Sequence, residues 1–312
     1  MTQDLVRSEV CIFCGESNLE VLVPARTLPD EVAVLKCREC QLVFLESRNG
    51  DDELDPEETV YWDDEEQKQI YLQDKIQSLF VSEFEKRLVT LERYVPARGK
   101  LLDVGCGVGH FLATAAKRGW LVQGIDISQA ARLAAKQAYG LDVSVGVLES
   151  TAFEPRSFDA VTLWDVIEHI RRPIENVKAA NRLLRMGGVL AMKTPNEASL
   201  FKQLALALYR IWGDRAAFLL KYVYYVPHYY SYSKKSMSVL LNRCGFEVIN
   251  YEVDETPPEF AAEKINVHYI KDSKRWLVIA LLPLANFFGR LFKRSNKLVV
   301  YARKVREVNT NE

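Results

Sequence analysis

Two groups of residues in this sequence have the types and spacings that chemistry requires. The first is four cysteines in two tight pairs, Cys11-x-x-Cys14 and Cys37-x-x-Cys40, with 22 residues between the pairs. Four thiolates so arranged can surround one tetrahedral zinc, and the spacing is that of a zinc ribbon. All four ligand positions are then filled, so the metal is expected to be structural. Gly15 follows the first pair and relieves its turn. Gln41 takes the equivalent place after the second, where glycine is commoner.

The second group is the stretch Leu101-Leu-Asp-Val-Gly-Cys-Gly-Val-Gly-His-Phe-Leu112. Its glycines 105, 107 and 109 let the backbone turn tightly and approach a ligand closely. The pattern is G-x-G-x-G, not the G-x-G-x-x-G of dinucleotide turns. Asp103 is the more decisive residue. A carboxylate here would repel the pyrophosphate that such turns cradle. It favours a cationic cofactor, and S-adenosylmethionine carries both a sulfonium and an ammonium group. Asp126, with Ile127 beside it, stands about 20 residues beyond the glycines, where a carboxylate accepts the hydroxyls of a ribose. Apolar Val147 and Leu148 are expected against the adenine face, and Glu149 is a weaker candidate at its edge. Trp164, Asp165 and Val166 are expected above the reacting methyl. Cys106, inside the turn, is expected to be buried and without a catalytic role.

These residues need strand ends to hold them. Short apolar runs at 101–104, 121–127, 143–147, 158–164 and 189–193 read as strands. Helical patterns fall between them: 110–118 stopped by Gly119, one capped by Ser128 and stopped by Gly140, and one opened by Pro173 and ended at Gly187–Gly188. The alternation argues for an α/β fold with a mostly parallel sheet. A helix capped by Ser233 and strands at 246–253 and 298–302 complete it. Upstream, Ile70, Leu72, Ile76, Leu79, Phe80, Phe84, Leu88 and Leu91 recur at helical spacing, as one long helix or two shorter ones.

The organisation expected is a zinc-ribbon module over 1–47, then an acidic linker and helical segment over 48–95. A cofactor-binding domain covers 96–305, with a helical, aromatic-rich insertion at 197–231, and a polar tail covers 306–312. The chain has 41 Lys+Arg against 42 Asp+Glu, so nothing in its overall charge points to a nucleic-acid partner. Residues 1–10 contain no apolar signal-peptide core, which suits reduced cysteines and a cytoplasmic location. Residues 276–292 are strongly apolar but interrupted by Pro283, Asn286, Gly289 and Arg290, and are shorter than the roughly 20 residues of a membrane span. A buried or amphipathic helix is expected there, with peripheral membrane contact as the alternative.

The segments LLDVGCGVGHFL, GIDIS, SFDAVTLWDVIEHI and LLRMGGVLAMKTPN resemble the successive motifs of class I S-adenosylmethionine-dependent methyltransferases, in particular the branch of ubiquinone-biosynthesis O-methyltransferase-like enzymes. The likeness is strong over residues 98–196 and looser over 228–305. It implies a Rossmann-like sheet of seven strands whose last, here 298–302, runs antiparallel. It also implies that Asp103 and Gly105 lie near the methionine moiety, that Gly107 and Gly109 line the turn, and that Asp126 holds the ribose. Trp164–Val166 would border the methionine end. Val147 stands where many relatives carry an acidic residue, which leaves adenine to backbone groups and apolar packing.

Methyl transfer needs a general base only when the acceptor is a hydroxyl or an acidic carbon. Of the four histidines, His169 and His228 are the candidates. His169 follows the fourth strand, where the loop is either catalytic or structural. His228 precedes the Ser233 helix in a tyrosine-rich stretch (224, 225, 229, 230, 232) that lines a pocket or fills core. Asp165, Glu168 and His169 also resemble the metal-binding cluster of some relatives, a thinner signal. The function expected is methyl transfer to a small-molecule acceptor: a sugar, a quinone-like phenol or a lipid-linked intermediate. The alternatives are an RNA or protein methyltransferase that docks through the ribbon, and a catalytically inert binding protein.

Overall fold

A computed structural model describes residues 8–28, 32–47, 74–224, 228–257, 260–261 and 275–308. The linker expected at 49–58, the part of the upstream helix before residue 74, Tyr225 and His268 lie outside the described residues. In chain order the elements are β1 (Leu19–Val23), β2 (Val32–Cys37), β3 (Val43–Ser47), α1 (Asp74–Tyr94), β4 (Lys100–Val104), α2 (His110–Lys117) and β5 (Leu121–Asp126). Then come α3 (Gln129–Tyr139), β6 (Val143–Val145), β7 (Phe158–Trp164), α4 (Pro173–Leu183), β8 (Leu184–Pro195) and α5 (Leu200–Trp212). The chain ends with β9 (Tyr230–Ser231), α6 (Lys234–Arg243), β10 (Phe246–Asp254), α7 (Arg275–Leu291) and β11 (Lys297–Lys304). It divides into two compact units. One contains Met1–Glu58, Thr194–Val239 and Glu252–Leu298; the other contains Thr59–Lys193, Leu240–Tyr251 and Val299–Glu312.

The larger sheet has seven strands in the order β10-β11-β8-β7-β4-β5-β6. From β8 to β6 every neighbour pair is parallel. Two crossovers start from the middle of this sheet, so a topological switch point lies between β4 and β7, where open α/β sheets bind ligands. Leu101, Leu102, Ala160, Val161, Leu190 and Ala191 are fully buried, as central parallel strands require. The local signals act as their chemistry demands. The Ser128 hydroxyl accepts from the Ala131 N–H at 3.1 Å to cap α3, and Gly140 ends it in the left-handed conformation.

One boundary departs from expectation. The helix opened by Pro173 ends at Leu183, and Leu184 already starts a twelve-residue strand. Gly187, at φ +78°, does not stop a helix. It lies in a bulge where β8 advances five positions, Leu184 to Val189, against the step of two from Phe158 to Ala160 on β7.

The smaller sheet has the order β1-β2-β3-β9 and is antiparallel throughout. Its outer strand is Tyr230–Ser231, from the segment expected to be an insertion. Val32, Val34, Val43 and Leu45 of this sheet are buried with Ala205 and Leu206 of α5, and with Leu220 and Tyr224. So the cysteine-bearing strands build their core with residues nearly two hundred positions downstream.

Candidate functional site

The glycine turn links β4 to α2. Gly105, Gly107 and Gly109 all take positive φ, at +66°, +52° and +85°. A Cβ at Gly105 would sit 2.5 Å from Val166 Cγ2, so the turn needs glycine for space as well as for φ. The Gly105 N–H donates to the Ile125 carbonyl at 2.8 Å, which ties the turn to the end of β5. Cys106 is buried, and a Cβ at Gly124 on β5 would meet its sulfur at 2.7 Å. Burial, with Asp103 and Asp126 nearby, pushes the Cys106 thiol far above its ordinary range, so it stays protonated.

Asp103 and Asp126 stand on adjacent parallel strands at their C-terminal ends, and both are buried. Register places Thr162 of β7 opposite Asp103, and its hydroxyl donates to Asp103 Oδ1 at 2.6 Å. Burial drives the Asp103 carboxyl up to about 8; the Thr162 bond works against this, and the charge of Asp126 adds to it. The Asp126 carboxylate accepts from the Gly107 N–H at 2.8 Å and the Ser128 N–H at 2.9 Å. Burial raises its pKa too, although these backbone bonds oppose the shift.

The segment after β7 is held by a residue that spacing did not reveal. Lys193, buried near the end of β8, places Nζ 2.7 Å from Glu83 of α1 and 2.8 Å from Asp165. Burial alone would lower its pKa, but the two carboxylates raise it, so it stays an ammonium. Asp165 is held at φ +58°, an uncommon conformation for aspartate, with its N–H on the Lys193 carbonyl. One carboxylate of the thin metal-binding signal is thus engaged by an ammonium. Trp164 packs edge-on against Phe111, with ring centroids 5.2 Å apart. His169 ends a 3-10 turn, Ile167–His169, and is half-buried, whereas Glu168 is buried. Beyond β6, Val147 is exposed while Leu148 points into the core. Ile127 is exposed at the mouth of β5, and Glu149 accepts from Asn176 at 3.2 Å.

The four paired cysteines converge in the other unit. Cys11 and Cys40 sulfurs lie 3.5 Å apart, as do those of Cys14 and Cys37, and all four lie within 4.8 Å of one another. Tetrahedral thiolates at about 2.3 Å from zinc need nearly this spacing, so the donor set fits such an ion. A hydrogen bond from Cys40 pulls the Cys11 thiol down to about 5 and correspondingly raises Cys40. The two knuckles share one geometry: Gly15 takes φ +76° and Gln41 +63°, and their N–H groups donate to the Cys11 and Cys37 carbonyls. His228 is half-buried just before β9 in the same unit.

The profile of the methyltransferase domain family matches residues 71–251, more than half of the chain. The chain belongs to the methyltransferase domain family. It is 37% identical over 111 residues to a ubiquinone biosynthesis O-methyltransferase of Saccharophagus degradans, covering 34% of this chain and 47% of that one. The corresponding protein of Pseudomonas fluorescens is 38% identical over 112 residues, covering 34% and 48%. The chain thus spans about half the length of the curated relatives it matches. Among solved structures, a SAM-dependent methyltransferase from Archaeoglobus fulgidus is similar over 72% of this chain and 98% of its own, at 20% identity and a TM-score of 0.45.

Proposed function

We propose that this methyltransferase domain transfers the methyl group of S-adenosylmethionine to a small-molecule acceptor. One observation carries the reading: two buried carboxylates, Asp103 and Asp126, end neighbouring parallel strands on either side of a left-handed glycine turn. Carboxylates so placed stabilise a cation and disfavour a pyrophosphate. Asp103 would face the positively charged methionine end, and Asp126 would accept from the ribose hydroxyls. Gly105, Cys106, Gly107 and Gly109 would bring backbone close to the cofactor, with Ile127, Val147 and Leu148 toward the adenosine side. Trp164, Asp165 and Val166 would border the methionine end, held there by Lys193. The names of the relatives make an apolar phenol the first acceptor to test; a sugar or a lipid-linked intermediate is the other class.

S-adenosylmethionine supplies an activated methyl on sulfur, so the protein's task is to align the acceptor and to receive its proton. His169 and His228 are the groups proposed for that proton. Calorimetry should find tight association with S-adenosylmethionine, and mass spectrometry should find a product heavier by one methylene from a metabolite extract. Heat with a nicotinamide dinucleotide and none with the sulfonium compound would overturn the proposal. Replacement of the catalytic base by alanine is expected to lower kcat by about a hundredfold with cofactor affinity unchanged. His169→Ala and His228→Ala variants that both turn over at the wild-type rate would remove the two histidines from the reaction.

The four cysteines are proposed to hold one structural zinc, in a module over residues 1–47. A cofactor domain over 96–305 with 197–231 as its insertion, the segment 48–95 and a tail from 306 remain the proposed organisation.

A further inference from the structure

The outward faces of α5 and α7 are apolar in a way that an aqueous protein surface is not. On α7 the exposed positions include Trp276, Leu284, Phe287, Phe288 and Leu291, and Phe292 follows directly; Trp276, Phe287 and Leu291 are 67%, 61% and 62% exposed. With Ala280, also exposed, the positions 276, 280, 284, 287 and 291 make one stripe at helical spacing. No charged residue stands on it. The buried side of the same helix holds Val278 and the polar Asn286. α5, which packs against α7, turns Ala205 and Leu206 into the core and Arg210 to solvent, yet it too exposes large apolar side chains. Lys202 is buried, bonded to Glu197 and Ser231, while Leu204, Ile211 and Trp212 are exposed. Exposed large apolar side chains grouped along a helix face in this way mark interaction sites.

Charge identifies the occupant. Arg215 follows α5, and Lys293 and Arg294 follow α7; all three are exposed, and no ion pair among the described residues engages them. Arg294 uses its Nε on the Ala198 carbonyl and leaves the rest of its guanidinium free of carboxylates. Arg290 is exposed too, but its charge is matched by Glu255 at 2.6 Å. Aromatic rings next to unpaired cations at a helix end match the headgroup region of a bilayer, where rings sit at the interface and cations meet phosphates. No helix among the described residues is long and apolar enough to cross a membrane. At 17 residues, α7 would instead lie in the plane of one leaflet, a rod of about 25 Å.

We propose that α5 and α7 form a docking face for an anionic lipid surface. This does not rest on the methyl-transfer reading. The test is sedimentation of the full chain with vesicles of phosphatidylcholine alone and of phosphatidylcholine with an equal part of phosphatidylglycerol. Binding to the anionic vesicles is expected, with the pure phosphatidylcholine ones roughly tenfold weaker and the difference erased by high salt. Phe287→Ser/Leu291→Ser should reduce binding by at least about tenfold, and Lys293→Gln/Arg294→Gln should remove the preference for anionic lipid. All four positions are exposed, so melting temperatures should match wild type and separate lost docking from lost folding. The proposal fails if wild type ignores both vesicles. It fails if a normally melting Phe287→Ser/Leu291→Ser variant binds as wild type does. It also fails if the chain forms a dimer that the same substitutions dissociate, without vesicle binding; the face then belongs to a second copy.

Discussion

An Asp103→Asn variant is expected to bind S-adenosylmethionine about a hundredfold more weakly than wild type and yet to be the more stable protein. The affinity loss follows from leaving a buried cation without its carboxylate, which costs about 3 kcal/mol. The gain in stability follows from linkage. Folded Asp103 keeps its proton to about pH 8, because burial disfavours the anion and Asp126 adds repulsion. The unfolded chain releases that proton near pH 3.9. Between these values the unfolded state binds fewer protons, so rising pH erodes stability. Asparagine, which can still accept the Thr162 hydroxyl, removes that penalty, about 1–3 kcal/mol at neutral pH and above. The same shift makes cofactor binding pH-dependent. A cationic ligand requires the carboxylate, so below pH 8 binding must release a proton, and affinity should fall up to about tenfold per pH unit. Calorimetry in buffers of different ionisation enthalpy reads the proton directly. Affinity that is flat from pH 6 to 8, or an asparagine variant that binds like wild type, would refute the assignment of Asp103.

Removal of the metal should have the largest effect on folding. Elemental analysis is expected to give about one zinc per chain, lost in a Cys37→Ser/Cys40→Ser variant. Structural zinc contributes about 10 kcal/mol or more to small modules, as much as the whole stability of a typical domain. Amide exchange in β1, β2 and β3 should therefore accelerate to nearly the unprotected rate in the variant or after strong chelation. Tyr230 and Ser231 should lose protection with them, because β9 pairs with β3 at Val43 and Phe44. A metal-free wild type with full protection in these strands would end the zinc reading.

Much of the candidate site was legible because its determinants are local. A carboxylate, a glycine turn and a capped helix follow one another within a few residues, and each acts through its own backbone. Asp103, Gly105, Gly107, Gly109, Asp126 and the Ser128 cap could be placed on strand ends and turns from spacing alone. The two cysteine knuckles were legible for the same reason, including the odd position of Gln41, which adopts a conformation that glycine would take more easily.

What escaped the reading depends on which strands become neighbours. Thr162 meets Asp103 only through the register of β4 against β7, across 59 positions of sequence. Lys193 clamps Asp165 and Glu83 because β8 lies beside β7 and α1 packs on the same unit; no spacing rule links these three. The two-residue strand β9 is too short to carry a period, so its place in the cysteine-bearing sheet could not be foreseen. Val147 and Leu148 looked equivalent until the turn after β6 sent one outward and the other into the core.

The sequence by itself determined the alternation of strands and helices, the charge at the glycine turn and the two cysteine pairs. These are properties of residues a few positions apart. Only the tertiary structure decided who partners the carboxylates, which apolar residues stay in water and where the late tyrosine strand goes. Those outcomes arise from contacts between distant segments, and the chain settles them only when it packs.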